Sequence, residues 1–356
     1  MCRRSSRNQR LFNLASYFLS SNRTLRVKQN DSFLSYNYHT PITNSFNHQA
    51  FGRRYCAMDV KPAPMPKLMY GTAWKKEATS ELVFLALKAG FRGIDTAAQP
   101  RHYKEALVGE AVKLAISSGI IKRSDIFIQT KFTSVDGQDP DDLPYDPNAP
   151  LEEQVHSSVA SSLQNFTYTD SEDPYIDSFV LHSPLRTLSD TVKVWKTLET
   201  YVPHKIKQLG ISNAPLQAVL DLCSSPEILV RPACVQNRFY ASTGWECHLR
   251  AYCRMKGIAF QSFWTLSGNP RILGGSVVQR LATSAGVEAP VALYALVLGL
   301  GGTTVLDGTT SEAHMKDDLK GIELIEGFAQ SELGEPIWSE CLTGFKRLIG
   351  DDQLFP

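Results

Sequence analysis

Four side chains stand out for their type and their place. Asp95 closes a short apolar run in "GIDTAAQPRHYKEALVGEAV", residues 93–112, and Tyr103 follows just before a helical pattern begins. Lys131 stands in "IQTKF" and His182 in "VLHSP", each at the end of another apolar run. A phenol titrates near ~10 and is a sluggish acid at neutral pH. An ammonium about 4 Å away, at an effective dielectric of about 20, favours the phenolate by roughly 4 kcal/mol. That corresponds to about three pKa units. A carboxylate beside the ammonium keeps it charged, and an imidazole can orient a substrate oxygen. Each residue alone has an ordinary explanation: a turn aspartate, a snorkelling lysine, a satisfied core histidine. All four at consecutive strand ends outweigh those explanations.

The elements that must position them follow a repeating grammar. Strand candidates are residues 67–72, 93–97, 125–131, 175–183, 206–213, 233–240, 258–266 and 303–309, short runs rich in β-branched or aromatic residues and bounded by turn formers. Helical patterns lie between them. Leu151, Val155, Val159, Leu163 and Phe166 mark one apolar face; Val192, Trp195, Leu198 and Val202 mark another, and Met315, Leu319 and Ile322 a third. Strands alternating with helices pair in parallel, and eight such units make a single-domain (β/α)8 TIM barrel. An open doubly wound sheet would need a glycine-rich turn after its first strand. The one similar run, "GLGGTT" at 299–304, precedes a strand and reads as a helix-to-strand turn.

In a barrel the C-terminal strand ends face the active site. Beyond the four residues above, those ends carry Ser212 and Asn213, Gln236 and Asn237, then Phe263 and Trp264. The stretch "TSVDGQDPDDLPYDPNAP", residues 133–150, is an acidic insertion expected on that same face.

Charge excludes one class of partner. Residues 1–58 hold nine Arg or Lys and one acid, Asp31, so the remainder has 28 of the 37 basic and 35 of the 36 acidic residues, a net of −7. An acidic body lacks the basic face that nucleic acid requires. The longest apolar run, residues 289–302, is too short to span a bilayer, and Pro290 opens it as a helix start. The seven cysteines are scattered without a CxxC, which reads as reduced thiols. "CHLRAYC", residues 247–253, is a helix carrying two cysteines rather than a zinc site. No metal is expected.

Residues 1–57 are different material. They are rich in Arg and Ser and nearly free of acids, which fits either a transit peptide or an extension ahead of a start at Met58. A disordered extension is expected there, with the barrel over 58–356. A start at Met58 implies a cytoplasmic protein; translation of 1–57 implies a mitochondrial one.

From about Leu68 onward the chain resembles the aldo-keto reductase family. The motifs are "GFRGIDTA" with "HYKEALVG", then "IQTKF", "VLHSPL", "LGISN" and "VQNRFY", six in order at strand ends. The resemblance implies a catalytic tetrad of Asp95, Tyr103, Lys131 and His182. It implies reversible NAD(P)H-dependent reduction of aldehydes or ketones to alcohols by a monomer, with NADPH favoured and NADH possible. The nicotinamide carboxamide is expected at Ser212, Asn213 and Gln236, stacked on Phe263. The phosphates are expected at Gly308, Thr309 and Thr310, which lead into a helix N-terminus. Trp74, in "GTAWK", and Trp264 are expected to wall the substrate pocket. Two departures matter. "QPRH" lengthens the gap between Asp95 and Tyr103, and Asp307 stands where many relatives carry a basic residue for the adenosine 2′-phosphate. A non-catalytic barrel that binds cofactor as a regulatory subunit is the competing expectation. A barrel isomerase or hydrolase would need paired carboxylates or a metal cluster.

Overall fold

Eight strands pair in the order in which the chain makes them. β1 (Leu68–Gly71), β2 (Gly93–Asp95), β3 (Phe127–Phe132) and β4 (Ile176–Leu181) are followed by β5 (Ile206–Ser212), β6 (Cys234–Arg238), β7 (Ala259–Phe263) and β8 (Thr303–Asp307). All pairings are parallel, and β8 returns to β1 with Leu68 opposite Val305, closing the barrel. The computed structural model describes residues 64–168 and 173–353. The expectations for residues 1–57, and the start of the barrel at 58, lie outside the described residues.

Every expected strand forms, though several end sooner than their apolar runs, because pairing stops where the chain turns into the mouth. The connecting helices are α1 (Thr79–Ala89), α2 (Glu105–Ser117), α3 (Leu151–Asn165), α4 (Leu188–Glu199), α5 (Leu216–Ser224) and α6 (Cys247–Lys256). Then come α7 (Pro270–Leu273), α8 (Ser276–Ala285), α9 (Ala289–Leu298), α10 (Glu312–Gln330) and α11 (Gly334–Leu348). The apolar run at 289–298 is α9, with proline in its first turn and nearly every side chain buried. The helices α1, α5, α7, α8 and α11 have no counterpart among the patterns named above. Among the described residues no single helix is long and apolar enough to cross a membrane.

Local chemistry sets the helix ends. The Thr187 side chain accepts from Asp190 N at 3.0 Å and caps α4. Gly109 lets α2 approach α3: a Cβ there would lie 2.1 Å from the Asn165 carbonyl oxygen.

The strands alternate sides. Gln129 and Lys131 of β3 meet groups inside the barrel, whereas Thr130 between them bonds Glu105 of α2. Barrel interiors are usually layers of branched apolar side chains; this one holds a layer of amides. Gln129 Nε2 donates to Gln261 Oε1 at 2.7 Å, Gln261 Nε2 donates back to Gln129 Oε1 at 2.9 Å, and Gln236 Nε2 donates to Gln261 Oε1 at 2.8 Å. All three are buried, and mutual pairing offsets the cost of placing amides in a core.

The 133–150 insertion lies between β3 and α3 and is pinned to its surroundings. Gln138 and Tyr145 are buried, Gln138 donates to Ala98 O at 2.9 Å, and Tyr145 Oη donates to Thr133 O at 2.5 Å. Arg186, after β4, donates twice to Asp136 at 2.9 Å.

Candidate active site

Asp95 and Lys131 are the deepest of the four residues, 2% and 0% exposed. Lys131 Nζ donates to Asp95 Oδ1, Asp95 Oδ2 and Thr96 O, each at 2.7 Å. Asp95 Oδ1 also accepts from Gln129 at 2.7 Å and Gln236 at 3.0 Å. A buried ion pair persists only when its remaining hydrogen-bonding capacity is met, and the amide layer meets it.

The "QPRH" insertion folds into a tight turn. His102 N and Tyr103 N both donate to Gln99 O, at 3.1 and 3.0 Å. The added residues are taken up there, and Tyr103 still reaches the barrel mouth. Its ring centre lies 5.1 Å from Lys131 Nζ and 6.0 Å from the His182 ring, edge-on at 67°. The four residues named from the sequence therefore do come together.

Their electrostatics differ from the expectation in one respect. All the hydrogen bonds of Lys131 go to Asp95 and Thr96, so its ammonium is largely neutralised where the phenol sits. Burial pushes the Tyr103 phenol above its ordinary value, and the Asp95 charge adds to that. Burial lowers Lys131, with Asp95 opposing. His182 falls well below the ordinary imidazole value, first by burial and then through the charges of Lys131, His102 and Arg238. His182 is therefore neutral at physiological pH. Its Nδ1 lies 2.6 Å from Thr133 Oγ1; with that hydroxyl donating, Nε2 carries the ring proton.

At the ends of β5 and β6, Ser212 Oγ donates to Gln236 O at 2.7 Å, and Asn213 Nδ2 donates to His182 O at 2.9 Å and Ser212 Oγ at 3.2 Å. Asn213 sits in the left-handed region at φ 50°, as do Trp74 at 64° and Trp264 at 60°. Such backbone is strained in residues other than glycine, asparagine or aspartate, and it clusters at functional sites. Trp74 and Trp264 stand exposed on the rim, Trp74 against His102 at 4.0 Å and Trp264 beside Phe263 at 6.2 Å.

Asp307 requires a correction. It is 1% exposed, and its Oδ1 accepts from Thr309 N at 2.9 Å and Tyr294 Oη at 3.4 Å. It braces the turn after β8 from within instead of facing a 2′-phosphate. Thr309 N is thereby engaged, while Gly308 and Thr310 are exposed ahead of α10. Ser311 caps α10 through His314 N at 3.4 Å.

Sequence reasoning passed over three groups. Lys75, adjacent to Trp74, is buried and donates to Gly308 O and to Thr309 O, the latter at 3.4 Å. Arg238, in the quoted "VQNRFY", donates to Asn213 Oδ1 at 2.8 Å. Thr133 fixes His182. The signal for Lys75 was its place in the first strand's loop; the other two are visible only in space. Among the described residues no group of three or more His, Cys, Asp or Glu gathers as metal ligands, and Cys247 donates to Ile349 O at 2.9 Å.

A buried cation and a helix N-terminus flank Gly308–Thr310, where phosphate oxygens could be held, and the polar side chains of Ser212, Asn213 and Gln236 cluster at the ends of β5 and β6, in contact with one another and with His182 O. A model of the Aldo/keto reductase family matches residues 67–271, and the chain belongs to that family. It is 26% identical over 322 residues to aldo-keto reductase family 4 member C11 of Arabidopsis thaliana, covering 80% of this chain and 93% of that protein. It is 31% identical over 199 residues to the NAD(P)H-dependent D-xylose reductase of Candida tenuis, covering 48% of this chain and 55% of that protein. A solved aldo-keto reductase from a Medee basin deep-sea metagenome library superposes with a TM-score of 0.62 at 21% identity, over 79% of this chain and 93% of that one. That likeness is one of fold.

Proposed function

We propose that the protein reduces aldehydes or ketones to alcohols with a nicotinamide dinucleotide, NADPH ahead of NADH, and that Tyr103 delivers the proton. The observation that carries this is the convergence of the Tyr103 and His182 rings above the dry Asp95–Lys131 pair. The name of the xylose reductase relative supports both the reductant and the carbonyl chemistry.

When bound, the nicotinamide supplies the hydride. The chain supplies everything else. His182, neutral with its proton on Nε2, holds the carbonyl oxygen. Tyr103, neutral because burial raises it, is in the state a donor needs. The acceptor is a developing alkoxide, a stronger base than a phenolate, so the proton passes to it from Tyr103. What remains of the Lys131 charge then favours the phenolate left behind, with Asp95 opposing it. Lys75 and the N-terminus of α10 would hold the pyrophosphate, and Ser212, Asn213 and Gln236 would hold the carboxamide.

The test is a screen of aromatic and aliphatic aldehydes with NADPH and NADH, following loss of reduced-cofactor absorbance. Turnover dependent on Tyr103 supports the reading. Tight cofactor binding with no turnover on any carbonyl overturns it in favour of a regulatory barrel.

A further inference from the structure

Arg238 ends β6 on the same side of the strand as Gln236 and is half-buried at the mouth. Its Nη1 donates to Asn213 Oδ1, and its guanidinium carbon lies 5.3 Å from the Phe263 ring centre and 4.8 Å from that of Trp264. These partners are all neutral. The two buried arginines pair with acids: Arg123 with Asp177 and Arg250 with Asp351, both at 2.7 Å. Among the described residues Arg238 makes no such pair.

The fold does not require this cation. The turn at Asn213 is already held by its own N–H to Gln236 O at 3.0 Å and by Nδ2 to His182 O. A guanidinium carries five N–H donors in a rigid fork that matches a carboxylate. Its cation–π contacts with the Phe263 and Trp264 rings hold it at the mouth, partly screened from water, which strengthens attraction to an anion. The surroundings do not offset its charge. Lys131 is committed to Asp95, His182 is neutral, and Asp307 belongs to the turn after β8. The cation suited to a pyrophosphate is Lys75, at β1 and β8. Arg238 stands instead beside Asn213, and its charge is felt at His182, where the carbonyl oxygen is held.

We propose that Arg238 is a specificity residue that selects carbonyl substrates bearing a carboxylate, such as 2-oxo acids and aldehydic acids. This rests on the reduction proposed above. The carboxylate takes the outward edge of the guanidinium, and the exposed Trp74 and Trp264 rings flank the carbon skeleton.

The matched probes are 4-carboxybenzaldehyde and its neutral amide, 4-formylbenzamide. Wild type should favour the acid in kcat/KM, mainly through KM. Arg238→Gln should cut that ratio about 10–100-fold, the effect of losing a charge-assisted hydrogen bond. Arg238→Lys, which keeps a charge, should retain part of it. An unchanged ratio in Arg238→Gln, or equal loss in both variants, overturns charge recognition. Tryptophan-fluorescence titration of the full chain with benzoate and with benzamide gives a readout without turnover. Benzoate should bind wild type at least about tenfold tighter than benzamide, and Arg238→Gln should bind the two alike. If neither aldehyde is reduced, the reductase reading fails while the titration still decides the anion site. If wild type binds benzoate no better than benzamide, the anion site fails whatever the turnover.

Discussion

Lys131 Nζ gives one hydrogen bond to each carboxylate oxygen of Asp95 at 2.7 Å and a third to Thr96 O at the same distance. The pair is buried, so removing either member leaves the other without its partner. Lys131→Met should therefore cost stability as well as rate. Removing one partner of a buried pair typically costs about 3–5 kcal/mol. Chemical denaturation should show that loss, and Lys131→Met with Asp95→Asn should recover part of it. Equal stability of Lys131→Met and wild type would mean that the pair is not buried in solution.

Tyr103→Phe removes a single hydroxyl. Turnover should fall by about 10²–10⁴-fold, the usual range for a lost general acid. Cofactor affinity, measured by fluorescence titration, should hold, because the groups proposed to hold the carboxamide and the pyrophosphate lie elsewhere. Wild-type single-turnover rates in this variant would move suspicion to His182.

The pH profile follows from two shifts of known sign. In the proposed mechanism reduction needs protonated Tyr103, and its value is raised, so the proton is not lost until pH passes above the ordinary phenol value near ~10. It also needs neutral His182, which is lowered and so stays neutral to well below ~6.5. Single-turnover reduction should be flat from about pH 6.5 to about 10. An alkaline limb centred near ~8 would show that the loaded site lowers the phenol after all. The same histidine affects folding. The unfolded chain binds its proton below about 6.5 and the folded chain does not. Its contribution is thus present above that value and is lost as pH falls through it.

Much of the barrel was legible because its strands are short apolar runs with turn formers at both ends, and their ends carry chemistry in a fixed order. What could not be read was direction in space. Asp307 looks from the sequence like a charge facing the cofactor; only the turn shows that its carboxylate bends back to Thr309 N. Arg238 and Thr133 acquire meaning from Asn213 and His182, on other strands and far away in the chain. The tuning of Tyr103 by Lys131 was a sound pairwise argument that left out a third body: Asp95 takes up the lysine's hydrogen bonds.

Asp307→Lys accordingly becomes a test of folding. It would bury a second cation beside Lys75 and remove the acceptor for Thr309 N. The melting temperature should drop clearly, with a loss on the order of 3 kcal/mol or more. Tighter NADPH binding at unchanged stability would return Asp307 to the ribose pocket.

Gly109→Ala should destabilise, although alanine is the better helix former by about 1 kcal/mol. The new methyl would sit 2.1 Å from the Asn165 carbonyl oxygen, a backbone atom that cannot swing aside. Overpacking of this kind costs about 1–3 kcal/mol, occasionally more. A melting temperature above wild type would show that α2 and α3 can separate.

The layer formed by Gln129, Gln236 and Gln261 has a consequence for traffic. Carboxamides exchange hydrogen bonds but do not titrate, so this layer offers no acid or base behind the Asp95–Lys131 pair. With Tyr103 as the proton donor proposed above, each proton it gives away is replaced from the mouth, through the same doorway the alcohol uses to leave. Recharging the donor and clearing the product are thereby forced to take turns.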